Sequence, residues 1–188
     1  DSIFDGGYAD ITGTRCCSQF GVPRVVAHLA SGGGVDGAMR SLFRGADLAI
    51  ANLESPTPKN WRQHNSGTTF TGNPALLRVI KEAGFDFLSL ANNHIGDGGI
   101  SRIPETVAAV AAAGIGSGGA GANLAEAQRP WLTEVGGVTV AVVAVDQVNP
   151  GYHARAKRAG SAPIGVLEMR ASIAAARAAG ADYVILFP

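Results

Sequence analysis

An α/β layered fold is what this sequence predicts, and three observations predict it. An Ala- or Leu-rich helical segment, then Gly, then a short apolar strand recurs around Gly45, Gly84, Gly114 and Gly180. The strands in that pattern, Leu48–Ala51, Phe87–Leu90, Val138–Val145 and Tyr183–Phe187, are nearly continuous apolar runs, which suits strands covered on both faces. Hydrophobic residues make up 46% of the 188 and charged residues 16%, enough to bury a substantial core and too apolar for disorder. Helices alternating with fully buried strands imply stacked layers of helix and sheet.

Each element follows from its residues. The first 34 are the least regular: "RVVAHLA" reads as strand or short helix, and Gly32–Gly34 as a turn or linker. "MRSLFRG" predicts a helix closed by Gly45, because Gly adopts the left-handed conformation in which helices end. "LLRVIKEAG", "TVAAVAAAG" and "SIAAARAAG" repeat that signal. Between strands, Ser55–Gly72 and Asn149–Ala162 read as long polar loops. "GSGGAG", residues 116–121, predicts a Gly-rich turn leading into a short helix at 123–128, with Asn123 as its N-cap. No shift in composition divides the chain, so one domain over 1–188 is expected.

Several function classes are disfavoured. Fifteen basic and fifteen acidic residues cancel, and aromatic residues reach 6%, so neither an electrostatic footprint nor stacking platforms for nucleic acid are visible. No apolar run approaches the ~18–20 residues of a membrane helix. "DSIFDGGYAD" lacks the basic and apolar regions of a signal peptide, although the chain begins without Met and an upstream segment is a reasonable expectation. The adjacent Cys16 and Cys17 lack C-x-x-C spacing and read as ordinary thiols, which leans toward a reducing compartment. No Ser or Cys has the setting of a nucleophile elbow.

Function in such folds collects where strands end. Asn52, Glu54, Asn92, Asn93, His94, Asp97 and Asp146 all leave predicted strands as loops begin. Imidazole, carboxylate and amide oxygens together are ingredients of a divalent-metal site. The competing reading of "NNH" alone is a turn, where Asn is common because it closes Asx bonds. Glu54 and Asn52 at a neighbouring strand end shift the balance toward metal. "GSGGAG" also satisfies the dinucleotide-binding G-x-G-x-x-G, with Asp146 as a mimic of the ribose-binding acid, but no strand is expected directly before it, so that reading is set aside.

"ADLAIANLESP", "GFDFLSLANNHIGDGG", "GGAGANLAEAQRP" and "GADYVILFP", in this order and spacing, resemble the CapA/PgsA family of poly-γ-glutamate capsule synthesis, within the calcineurin-like metallophosphoesterase superfamily. The resemblance covers roughly residues 36–188. It implies a four-layer α/β/β/α sandwich with segments expected beyond both ends, and a site for divalent metal ions (two of Mn, Fe, Zn or Mg). Glu54 would be a metal ligand, with Asn52 beside it as a lesser candidate and Asn93 a ligand through its amide oxygen. His94 would be the general acid and Asp97 the carboxylate that orients it. The family's opening Gly-Asp has no good match here, Asp5 lacking a preceding strand. Its His-Trp-Gly would be expected directly after Pro188, and Gly98 stands where an aromatic is commoner.

The expected activity is that of a metal-dependent hydrolase or transferase, with a non-catalytic polyglutamate assembly, export or binding component as the alternative. The expected partner is an anionic small molecule or polymer, polyglutamate-like or a phosphoester. His153 and Arg155, beside Tyr152, Lys157 and Arg158, and His64 on the first long loop are candidate contacts for it, although a basic loop is more often simply solvated. His28, between apolar neighbours, reads as structural.

Overall fold

The computed structural model describes residues 45–61 and 69–188. The expectations for Asp5, Cys16, Cys17, His28, His64 and the helix before Gly45 fall outside the described residues.

The strands are β1 (Ile50–Asn52), β2 (Phe87–Ser89), β3 (Gly116–Gly118), β4 (Ala120–Gly121), β5 (Trp131–Val135), β6 (Val138–Ala144), β7 (Gly160–Ser161) and β8 (Tyr183–Phe187). The helices are α1 (Leu77–Glu82), α2 (Ile103–Ala112), α3 (Leu124–Ala127) and α4 (Val166–Ala178). Two sheets carry the architecture. β1, β2 and β3 are parallel in that order. β5, β6 and β8 form the second, with β5 antiparallel and β8 parallel to β6. A small antiparallel pair, β4 with β7, lies apart from both.

Side-chain alternation sets the layers, because successive residues of a strand face opposite ways. Along β2 and just beyond it, Leu88 and Leu90 pack with Leu77 and Ile80 of α1 and Ile103 and Val110 of α2. Phe87 and Ala91 turn the other way, onto Val142 and Ala144 of β6, with Ile185 and Phe187 of β8 against them. Beyond β6, Ala141 packs on Ala176 of α4, and Val143 joins a cluster that Met169 of α4 covers. The order is therefore α1 and α2, first sheet, second sheet, α4: a four-layer α/β/β/α sandwich. β2 and the carboxyl half of β6 are covered on both faces, which is why they read as unbroken apolar runs, whereas β8 leaves Tyr183 and Leu186 exposed.

All four predicted glycine stops are left-handed, with φ of 85° at Gly45, 103° at Gly84, 74° at Gly114 and 91° at Gly180. Asn123 caps α3 as expected, its side chain accepting from the Glu126 amide.

The "GSGGAG" segment differs from the expected turn. Residues 116–118 are the third strand of the first sheet, and 120–121 pair with β7. Its glycines answer to packing. The Trp131 ring lies where a Cβ on Gly116 would stand, and a Cβ on Gly119 would come 2.6 Å from that of Ala91 and 2.8 Å from that of Ala144. Gly119 thus sits against Ala91, just past β2, and Ala144 of β6, with φ of 85°. Gly119→Ala combines a left-handed backbone, about 1–2 kcal/mol, with overpacking, about 1–3 kcal/mol. A clear fall in thermal midpoint is expected, whereas Gly136→Ala, with open space around it and φ of 57°, carries the backbone cost alone.

β5 and β6 are joined by Gly136 and Gly137 only, with Val135 opposite Val138. Both glycines have positive φ, 57° and 81°, the type I′ turn that matches the twist of a hairpin. Among the described residues no helix is long and apolar enough to cross a membrane.

Candidate functional site

Three predicted strand ends converge. A cavity of about 350 Å³ opens at the carboxyl ends of β1, β2, β6 and β8. Its polar lining comes from Asn52, Glu54, Asn92, Asn93, Asp146 and Gln147, and its apolar lining includes Val145, Val148, Ile164 and Phe187. No lysine or arginine is among its described lining residues. A broader cleft of about 520 Å³ lies at the amino ends of the strands, between Asp47, Lys81, Asp86 and Trp131. Asp86 is committed there to the Ala49 amide at 2.9 Å, and ligands in open α/β sheets bind at the other end.

Asn92 organises the site. It is 6% exposed, and its amide nitrogen donates to the Leu53 carbonyl at 2.9 Å, while its oxygen accepts from the His94 backbone at 3.0 Å. Two main-chain partners of opposite kind fix which way round the amide lies. The same Asn92 nitrogen donates to the Asn52 oxygen at 3.0 Å, so Asn52 must turn its own nitrogen to Glu54, where it donates to Oε2. One buried amide therefore sets the orientation of a second, and through it of Glu54.

The bond from the His94 amide is also the Asx turn expected of such a sequence, and it lifts the His94 side chain out of the strand. The imidazole Nδ1 lies 2.8 Å from Asp97 Oδ2, and Nε2 lies 3.7 Å from Glu54 Oε1. Phe70 closes one side, ring edge to face with centroids 4.3 Å apart. The Asn93 side chain lines the cavity and makes no hydrogen bond among the described residues; its carbonyl accepts from Asn149 at 3.4 Å.

Glu54 and Asn93 thus present oxygens to the cavity that suit a hard or borderline cation. The Asn52 oxygen already serves Asn92. Among the described residues no three His, Cys, Asp or Glu gather closely enough to hold an ion. The donor chemistry of Glu54 and Asn93 is of the kind a divalent metal takes.

His153 lies beside Asp146, its Nε2 3.6 Å from Oδ2, buried and without a hydrogen bond. Arg155 is exposed at a turn closed by its backbone with Arg158, and it is not a lining residue of the cavity.

Sequence reasoning missed two contacts of Asp97. The Phe70 amide donates to Oδ2 at 2.8 Å, and the Tyr152 hydroxyl donates to Oδ1 at 3.2 Å. Both cross long stretches of chain, and no local signal marks them. Burial raises the Tyr152 pKa above its ordinary 10.0, and the charge of Asp97 and the hydrogen bond to it push the same way. The phenol is neutral in folded and unfolded chains at lower pH. Above about pH 10 the unfolded chain ionises first, so stability is expected to fall as pH climbs through the raised folded value. Asp97→Asn should bring the midpoint, followed by the ring carbon shifts of Tyr152, part of the way down.

The fold and site define a class: a four-layer α/β/β/α sandwich with a histidine–carboxylate pair and an acceptor-lined cavity where its strands end. The bacterial capsule synthesis protein family PGA_cap matches residues 24–188, and the chain belongs to that family. It is 29% identical over 126 residues to the PGA biosynthesis protein CapA of Bacillus subtilis (strain 168), a match covering 65% of this chain and 33% of that protein. It is 47% identical over 100 residues to a probable polyglutamine synthesis accessory protein of Mycobacterium tuberculosis (strain H37Rv), covering 48% of this chain and 24% of the other. The chain thus spans no more than about a third of these relatives. Among solved structures, the NAD nucleotidase NadN of Haemophilus influenzae superimposes with a TM-score of 0.49 at 14% identity, over 81% of this chain and 31% of that one.

Proposed function

We propose that this chain carries the proton-donating wall of a metal-dependent hydrolase or transferase acting on a polyglutamate-like polymer or a phosphorylated precursor of one. The observation that carries this reading is the His94 imidazole held between Asp97 at 2.8 Å and Glu54 at 3.7 Å, Glu54 being the member of the three that lines the strand-end cavity. Asp97 fixes Nδ1–H, which leaves Nε2 to face the reacting group, the arrangement a general acid needs. In its doubly protonated form His94 donates the Nε2 proton to the leaving oxygen and is left as the neutral ring with Nδ1–H on Asp97. Asn52 orients Glu54, and Glu54 with Asn93 would hold the metal. When bound, a divalent ion supplies Lewis-acid stabilisation of developing negative charge. The absence of lysine and arginine from the described lining supports this division of labour, since an anionic ligand beside Glu54 and Asp146 needs a cation from elsewhere.

A second reading is a non-catalytic component that binds polyglutamate: among the described residues no three His, Cys, Asp or Glu gather closely enough to hold an ion. Elemental analysis of the full-length protein, with a generic phosphodiester as substrate, separates the two. Stoichiometric Mn, Fe, Zn or Mg with turnover supports the enzyme. Metal-free, inactive protein that still binds polyglutamate supports the binder.

A further inference from the structure

We propose that Tyr152 is a positioning residue for the His94–Asp97 pair, an assignment that rests on the reading of His94 as proton donor. Asp97 is clamped at both oxygens. Oδ2 accepts from the Phe70 amide and faces His94 Nδ1, each at 2.8 Å, while Oδ1 accepts from the Tyr152 hydroxyl at 3.2 Å. A carboxylate held at one oxygen can still swing about its last torsion, and the third donor removes that freedom. With Asp97 fixed, the imidazole keeps Nδ1 toward it and Nε2 toward Glu54.

The presentation of Tyr152 is itself built. Its ring lies directly over Gly96, where an added Cβ would come 2.6 Å from Cγ and Cδ1. The glycine two residues after His94 therefore makes room for an aromatic ring that arrives from a distant loop. Tyr152 ends a short 3-10 turn, Pro150–Tyr152, whose Asn149 cap accepts from the Gly151 amide. The loop is pinned beyond it by Asp146, which accepts from the Val148 amide and the Ser161 hydroxyl, both at 2.9 Å. Asn149 also reaches the Asn93 carbonyl at 3.4 Å. One loop thus touches both the dyad and the residue beside it. A phenylalanine at 152 would fill the same space over Gly96, so the hydroxyl is the part that packing does not require.

Tyr152→Phe in the full-length protein isolates that hydroxyl. A sharp downfield proton resonance of His94 Nδ1–H is expected in the parent protein, and in the variant it should broaden or vanish. Turnover of the generic phosphodiester should fall about 3- to 10-fold, the worth of one hydrogen bond, with KM within about twofold and the thermal midpoint little changed. A parent-like Nδ1–H resonance in the variant overturns the proposal. The Phe70 amide shift gives a second readout: it should move if Asp97 is released, and an unmoved shift counts against the assignment. Both resonances are read without catalysis, so a parent protein that lacks turnover defeats the enzymatic reading while they still decide whether Tyr152 positions Asp97.

Discussion

His94→Ala in the full-length protein is expected to lower kcat by about 10²–10⁴-fold, the usual loss when acid–base assistance is removed. The imidazole makes one short side-chain contact, to Asp97, and its other nitrogen faces Glu54 across 3.7 Å. Truncation therefore removes the proton donor and leaves the amide chain from Asn92 through Asn52 to Glu54 intact, because that chain uses only the His94 backbone. Metal content should hardly change. A turn residue with no chemical role would give a modest fall in thermal midpoint and an unaltered rate. A variant that keeps its rate removes the catalytic assignment of His94.

Glu54→Ala is expected to lower metal occupancy and activity together. Glu54 is the carboxylate on the cavity wall nearest His94, with its side chain 22% exposed and one oxygen tied to Asn52. Losing it removes the charged member of the Glu54–Asn93 pair, and a neutral amide alone binds a divalent ion weakly. Elemental analysis beside the phosphodiester assay reads both effects. Full metal content in the variant would move the ion away from Glu54. Asn52→Ala provides the intermediate case: it frees the Glu54 carboxylate from the hydrogen bond of the Asn52 amide while leaving the charge in place, so a smaller loss of metal is expected.

The sandwich was legible where one residue type meets one physical demand. Gly84, Gly114 and Gly180 marked helix ends because a left-handed residue without Cβ closes a helix most readily, and all three have positive φ. Buried strands betrayed themselves by apolar runs, since β2 and β6 face protein on both sides. The half-buried β5, with the pattern of an edge strand, is not among the strands those runs predict. The glycines of 116–121 look like a turn until Trp131 and Ala144, far along the chain, explain why side chains are excluded. The candidate site divides in the same way. His94 and Asp97 are three residues apart and Glu54 stands at a strand end, so the sequence singles them out locally, and their proposed roles come from the family resemblance. Phe70 and Tyr152 reach Asp97 across 27 and 55 positions, and nothing in their own neighbourhoods announces it.

The Gly136–Gly137 turn bears on the order of events as the chain folds. It brings Trp131 opposite Val142 by closing only two residues, and hairpins of this kind form in about 1–10 μs. The pairing of Ile50 with Phe87 and of Val140 with Tyr183 instead requires long stretches of chain to be gathered first, at greater entropic cost. β6 is thereby available early as a template, and β8 aligns on an edge already formed. The cavity needs the ends of β1, β2, β6 and β8 at once, so its assembly is expected to follow closure of the hairpin. A chain that has closed the hairpin alone would not yet hold the ends of β1, β2 and β8 around the cavity.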